Sequence, residues 1–297
     1  MGYSLIHEHI LVDFTGATNY NPLRWKREDV IRKVIPFLQK LKRSGCETLV
    51  DCTPAYLGRD VLLLQELSER TGLSLITNTG YYGGSDNKFL PQHAFLETDR
   101  QLADRWTKEA KEGIDDTQIR PGFIKISVNN DSLSDISKKL IRAAGYCHLE
   151  TGLVIASHTG PAVAAFEEIE ILKQLHVSPH AFIWVHAQIE NDWNKYITAA
   201  KEGAWISLDG LNEINVDEYV KMISFMKTKK LLHQVLVSHD AGWYDPEKPD
   251  GGVFRSYTTL FEKLIPSLKQ SGFSSKEIDL LVRINPRNAF ELRVRKI

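Results

Sequence analysis

Ser4-Leu5-Ile6-His7-Glu8-His9-Ile10 opens the chain with a short apolar run interrupted by three ionisable residues. Its β-branched and aliphatic residues, arriving with no helical period, read as a strand buried on both faces. Alternate side chains of a strand share a face, so His7 and His9 project together and Glu8 points away. Two neighbouring imidazoles, each with a neutral nitrogen, can close on one divalent metal. A bare His-x-His is more often a pair of solvated or core histidines. Its meaning therefore depends on what later strands bring to the same end of the sheet.

Outward from this strand, apolar segments and amphipathic segments alternate without a break. Strands are expected at 48–52, 73–79, 122–127, 153–158, 182–186, 205–208 and 234–240. Helices are expected at 27–44, 60–70, 95–113, 133–151, 162–175, 193–203, 216–229 and 257–270, with further helical turns from 275 onward. The first helix shows the pattern clearly: Val30, Ile31, Val34, Phe37, Leu38 and Leu41 form one stripe, and Gly45 follows as a cap. Eight strands alternating with eight helices in 297 residues predict an α/β fold, the (β/α)8 TIM barrel, as one domain over residues 1–297. A doubly wound open sheet would want a glycine-rich phosphate loop after the first strand, and none is present.

Composition narrows the function classes. The chain is 42% hydrophobic and 25% charged with a formal net charge of -1, so no overall basic field draws it to nucleic acid or an anionic membrane. No apolar run is long enough to span a bilayer. Three cysteines, Cys46, Cys52 and Cys147, give an odd count without Cys-x-x-Cys spacing. They read as small buried hydrophobes of a reducing compartment, and a cytoplasmic location is the expectation. The first strand begins almost at Met1, which leaves room for a leader or N-terminal hairpin ahead of it.

Working residues of an α/β barrel sit at the C-terminal ends of its strands. Those ends carry His7 and His9, Lys125, His158, His186 and Asp240. Each alone has a dull explanation: a hydrogen-bonded core histidine, a snorkelling lysine or a helix N-cap. Six on the right positions point to a metal site by ligand chemistry. A lysine ammonium has no lone pair to give and would repel a cation. A buried lysine is readily deprotonated, and its amine can take up carbon dioxide to form a carbamate. That group behaves as a bridging carboxylate, which implies two metals.

These motifs resemble the phosphotriesterase family of the amidohydrolase superfamily. The likeness runs through His7-Glu8-His9, Gly122-Phe123-Ile124-Lys125, Ser157-His158-Thr159, Val185-His186-Ala187 and Val237-Ser238-His239-Asp240. Gly58-Arg59-Asp60, Thr79-Gly80-Tyr81-Tyr82 and Ile284-Asn285-Pro286 support it. The resemblance implies that His7, His9 and Asp240 hold a more buried metal and that His158 and His186 hold a more exposed one. Carbamylated Lys125 and a hydroxide would bridge the two. It implies Zn2+ as the usual metal and hydrolysis of a lactone or other carboxylic ester, with promiscuous phosphotriesterase activity. Asp240 would take the proton, and Tyr82 would sit near the substrate carbonyl, as in the family's lactonases. His239, on the opposite face by strand alternation, has a packing role.

The substrate wall is expected from the loops at 80–91, 129–131, 209–215 and 241–256, with Tyr81, Tyr82, Trp243 and Tyr244 as its aromatics and Arg255 as a cation for an anionic group. In one respect the chain departs from the acyl-homoserine lactone hydrolases of the family. They carry Arg after the aspartate of strand seven, whereas Asp209 is followed by Gly210-Leu211-Asn212. The other readings are a primary phosphotriester hydrolase, or a metal-bearing barrel that binds a small molecule without turnover. The expected partners are a small ester or lactone and, since related barrels often pair, a second copy in a homodimer.

Overall fold

The computed structural model describes all residues, Met1–Ile297. Its strands are β1 (Ser4–Leu11), β2 (Thr48–Asp51), β3 (Ser74–Ile76), β4 (Asn78–Thr79), β5 (Phe123–Ser127), β6 (Val154–His158), β7 (Phe182–Val185), β8 (Trp205–Leu208), β9 (Val235–Val237) and β10 (Gly242–Tyr244). All pair in parallel, in the orders β10-β1-β2-β3 and β4-β5-β6-β7-β8-β9. The two groups join into one closed ring because two of the eight barrel strands are each broken in the middle. β3 pairs with β2 and its continuation β4 pairs with β5; β9 pairs with β8 and its continuation β10 pairs with β1. The expected strands at 73–79 and 234–240 are thus interrupted, at Thr77 and between Ser238 and Ala241. The second interruption carries Asp240.

Helices α1 (Arg27–Arg43), α2 (Val61–Thr71), α3 (Gln92–Leu96), α4 (Asp99–Glu112), α5 (Asp135–Thr151), α6 (Ala162–Gln174), α7 (Asn194–Glu202) and α8 (Val216–Thr228) wrap the ring. They are followed by α9 (Ile265–Gln270), α10 (Ser275–Asp279) and α11 (Asn285–Ala289), with π-helical turns at Leu260–Leu264 and Leu280–Ile284. The helix expected over 95–113 is two helices. Thr98 caps α4 in a reciprocal box with Gln101, which starts a new helix where the apolar pattern alone runs on. No helix is long and apolar enough to cross a membrane.

Two cores follow from strand alternation. A cluster of 69 buried residues fills the space between ring and helices. Inside the ring a cluster of 12 packs Ile6, Val50, Phe123, Val154, Ile183 and Leu236 above Phe290, which follows α11. The three cysteines are free and buried, as expected. Interior side chains fill the lower barrel, so polar groups on the same inward face further along each strand are confined to its mouth.

Candidate metal centre

β1 carries a bulge. Leu5 pairs with Leu49 and Glu8 with Asp51, so three residues advance against two. Ser238 Oγ accepts both consecutive amides, Ile6 N and His7 N, at 3.1 Å. The extra residue lets Ile6 face the interior core and still turns His7 and His9 inward beyond it. On β5, Phe123 lies in the inner cluster and Ile124 and Ile126 in the outer one. Lys125 therefore points into the barrel by period two. It is the third of five strand residues and only 1% exposed. His158 ends β6; His186 follows β7 and Asp240 lies three residues past β9, both in left-handed backbone, φ 60° and 53°. Such backbone on non-glycine residues is costly and gathers at functional sites.

Gly80 makes the mouth compact. Its φ is +115°, and a Cβ there would stand 2.1 Å from the Lys125 carbonyl oxygen. Only glycine lets the loop after β4 cross Lys125 so closely.

The structure brings the six expected residues together in one mouth. His7 Nε2 and His9 Nε2 lie 3.7 and 3.0 Å from Asp240 Oδ1, yet Oδ1 makes no hydrogen bond. The three atoms converge without being aimed at one another, as ligands of a shared cation would be. His186 Nε2 is 2.8 Å from His158 Nδ1, and the Tyr82 hydroxyl is 3.2 Å from His158 Nε2. Lys125 Nζ is buried without a hydrogen-bond partner. An unpaired buried amine is expensive, and this donor set of four imidazoles, a carboxylate and an orphaned nitrogen fits divalent cations.

Ring orientation is set from below. His7 Nδ1–H and His186 Nδ1–H donate to the two oxygens of Asp209, at 3.1 and 2.7 Å. His9 Nδ1 pairs with Thr53 Oγ1 at 2.7 Å. Protonation at Nδ1 leaves the Nε2 lone pairs facing the mouth, an arrangement typical of metal-binding histidines. Asp209 also accepts from the His186 amide and Ser207 Oγ. Its ligand-capable atoms lie within 4.8 Å of those of His7 and His186, but with its oxygens so occupied it orients the imidazoles rather than holding a metal.

Electrostatics agree. Burial, seconded by Lys125, lowers His7 to about 4, and burial with His186 takes His158 well below its usual value; both rings are neutral donors at pH 7. Burial also works against charge on His186, but Asp209 outweighs it and the result is upward. Burial opposes ionisation of Asp240 too, and His9 and His7 overcome it, holding the carboxyl well below the usual carboxylate range.

Glu8, turned away from the mouth, is fully buried. Its Oε1 accepts from Ser238 Oγ, the His239 amide and His239 Nδ1–H, and Oε2 from the Ala241 amide. It pins the turn that presents Asp240. His239 packs behind that turn as expected, with Nε2 accepting from the Leu260 amide.

The aromatic wall needs correction. A cavity of about 250 Å³ opens onto His9, His158 and Asp240 and is lined by Val12, Phe14, Leu57, Tyr82, Phe89 and Trp243. Tyr81 and Tyr244 are not in it. Tyr81 precedes Tyr82, and alternation turns it outward; Tyr244 follows Trp243, whose backbone is left-handed at φ 74°. Tyr81 donates to or accepts from His93 Nε2 at 2.9 Å and packs on Trp106, facing a separate outer cavity with Tyr20, Tyr56 and Arg59. Tyr244 packs under Gly251. Arg255 stacks on the Trp243 ring at 4.3 Å and donates to the Asp240 carbonyl, outside the cavity lining.

Residues 1–290 match the Phosphotriesterase family. The chain belongs to that family. As a phosphotriesterase-family member it is 27% identical over 294 residues to the phosphotriesterase homology protein of Escherichia coli, covering 98% of both chains. It is 28% identical over 301 residues to an aryldialkylphosphatase of Saccharolobus solfataricus, covering 98% and 95%. It is 27% identical over 300 residues to an N-acetyltaurine hydrolase of Dictyostelium discoideum, covering 96% and 78%. The fold matches the crystal structure of the Escherichia coli phosphotriesterase homology protein, described as complexed with phosphate in its active site. The TM-score is 0.83 at 24% identity, over 98% and 99% of the two chains. Phosphotriesterase-family proteins are hydrolases, and the barrel assignment stands on this match.

Proposed function

We propose that this chain is a binuclear metal-dependent hydrolase that cleaves a lactone or other carboxylic ester, with Zn2+ as its metal and a side activity on phosphotriesters. The observation that carries the reading is the orphaned Lys125 Nζ, buried on the inward face of β5 in the barrel whose mouth gathers four imidazoles and Asp240. His7, His9 and Asp240 would hold one cation and His158 and His186 the other. Lys125, its amine joined to CO2 with loss of one proton, would be the anionic ligand between them. Two divalent ions there would supply Lewis acidity toward the scissile carbonyl and a water acidified toward ~7.

The chain's own residues do the rest. Asp240, kept ionised by its imidazole neighbours, accepts a proton at Oδ. Tyr82, 3.2 Å from His158, places its hydroxyl where a substrate carbonyl oxygen can accept from it. Phe14, Leu57, Phe89 and Trp243 exclude water around the reacting group.

A second reading, amide hydrolysis, is favoured by the N-acetyltaurine hydrolase among the relatives, and phosphotriester hydrolysis by the aryldialkylphosphatase. The test is kcat/KM on the metal-loaded protein across lactones, simple carboxylic esters, N-acyl amides and a paraoxon-like triester. Highest values on lactones or esters support the proposal. Highest values on amides or triesters shift the primary activity to that class. Recovery of every compound unchanged after prolonged incubation reduces the protein to a binder.

A further inference from the structure

Resting on the hydrolase reading of this same cavity, we infer that the substrate is a compact molecule bearing an anionic group at the end away from its scissile bond, recognised by Lys88.

Size comes first. At about 250 Å³ the cavity lies below the range of ~300–1,000 Å³ typical for drug-sized ligands. It suits a short acyl chain. Charge comes next. Among the lining residues the only carboxylate is Asp240, engaged with the histidines at the cavity floor. The remaining lining is apolar, aromatic or hydroxyl-bearing, apart from one cation, Lys88.

Lys88 is exposed, yet its stem is packed. Its stem packs on the loop after β1, close enough that a Cβ on Gly16 would stand 3.1 Å from its Cγ and 3.3 Å from its Cε. Its carbonyl accepts from the Ala17 amide at 3.0 Å. The ammonium sits 5.5 Å from the Phe89 ring centroid, and no carboxylate of the chain pairs with it. A surface lysine normally floats free or finds an acid. One whose stem is packed, which lines a cavity and whose counter-ion is missing is a ready partner for a ligand anion. Arg255, also without an acid partner, adds positive charge behind Trp243. A carboxylate, sulfonate or phosphate tail a few bonds from the ester would meet Lys88 while the carbonyl lies by Tyr82.

The test compares monomethyl succinate with its uncharged isostere methyl levulinate on wild-type, Lys88→Gln and Lys88→Arg proteins, all metal-loaded. The inference predicts that wild type prefers the anionic ester in kcat/KM by about tenfold or more, mainly through KM, the scale of one charge-assisted contact. That ratio is expected to collapse toward one in Lys88→Gln and to return in Lys88→Arg. Equal turnover of both esters by wild type, or a preference that survives Lys88→Gln, overturns the inference and leaves the hydrolase reading standing. No turnover of either ester, with lactones, amides and the triester also inert, fails the hydrolase reading itself and takes the inference with it.

Discussion

Replacing Glu8 tests how a residue facing away from the mouth governs the residue inside it. Its carboxylate receives four buried donors: Ser238 Oγ, the amide and Nδ1–H of His239, and the Ala241 amide. Alanine leaves all four without a partner in a site closed to water. Each stranded donor costs ~1–3 kcal/mol, so Glu8→Ala should lose at least ~4 kcal/mol, a large share of the ~5–15 kcal/mol that holds a typical domain folded. Glutamine is gentler. Its oxygen can face the three donors that meet Oε1, and its amide then confronts only the Ala241 N–H, for a loss of ~1–3 kcal/mol. Because this turn presents Asp240, Glu8→Gln should also weaken metal retention. Guanidinium unfolding of the metal-free proteins gives the first quantity, and competition with a chelator gives the second. A Glu8→Gln protein with wild-type midpoint and wild-type metal affinity would refute the reasoning.

Other consequences follow from the same contacts. Lys125→Ala should abolish hydrolysis in a folded barrel and regain activity on adding a small carboxylic acid; full activity without one would sink the two-metal proposal. Asp209→Asn puts a donor amide against imidazole Nδ1–H groups and drives one ring to the other tautomer, so metal affinity should fall by ~10–100-fold in chelator competition. Glu168 is fully buried and accepts from Ser157 Oγ and Thr159 Oγ1, on either side of His158. Burial pushes its carboxyl from 4.5 up to about 8. The folded state then holds this proton more tightly than the unfolded one, so its contribution to stability declines as pH rises from 4.5 to about 8 and is level above. Glu168→Gln should remove that decline, read as a wild-type-minus-variant difference in Tm that grows more unfavourable to wild type between pH 5 and 8.

Much of this architecture is legible in the chain because it rests on periodicity. Apolar strands and amphipathic helices alternate, and a barrel places strand ends together, so His7, His9, His158, His186 and Asp240 could be assembled from spacing alone. What escaped depends on breaks in that periodicity. The bulge in β1 reverses the sense of alternation between Ile6 and His7. The kink after β9 that turns Asp240 inward depends on Glu8, 232 residues away. Asp209 follows β8 as His186 follows β7, and that position at a strand end is the signal that marks it. Tyr81 and Tyr244 were placed on the wall because the loops carrying them face the mouth. Tyr82 takes the inner face ahead of Tyr81 by alternation, and the left-handed backbone of Trp243, φ 74°, breaks the simple pattern that period two supplies for Tyr244.

The central claim is that one mouth holds two metals around a CO2-modified lysine. Metal content per chain, measured together with the intact mass of the peptide carrying Lys125 under conditions that preserve carbamates, tests it most directly. Two divalent ions per chain and the added mass of one CO2 on Lys125 are expected, both lost in Lys125→Ala. A single ion per chain in active protein, or two ions bound to a Lys125 of unmodified mass, would contradict it.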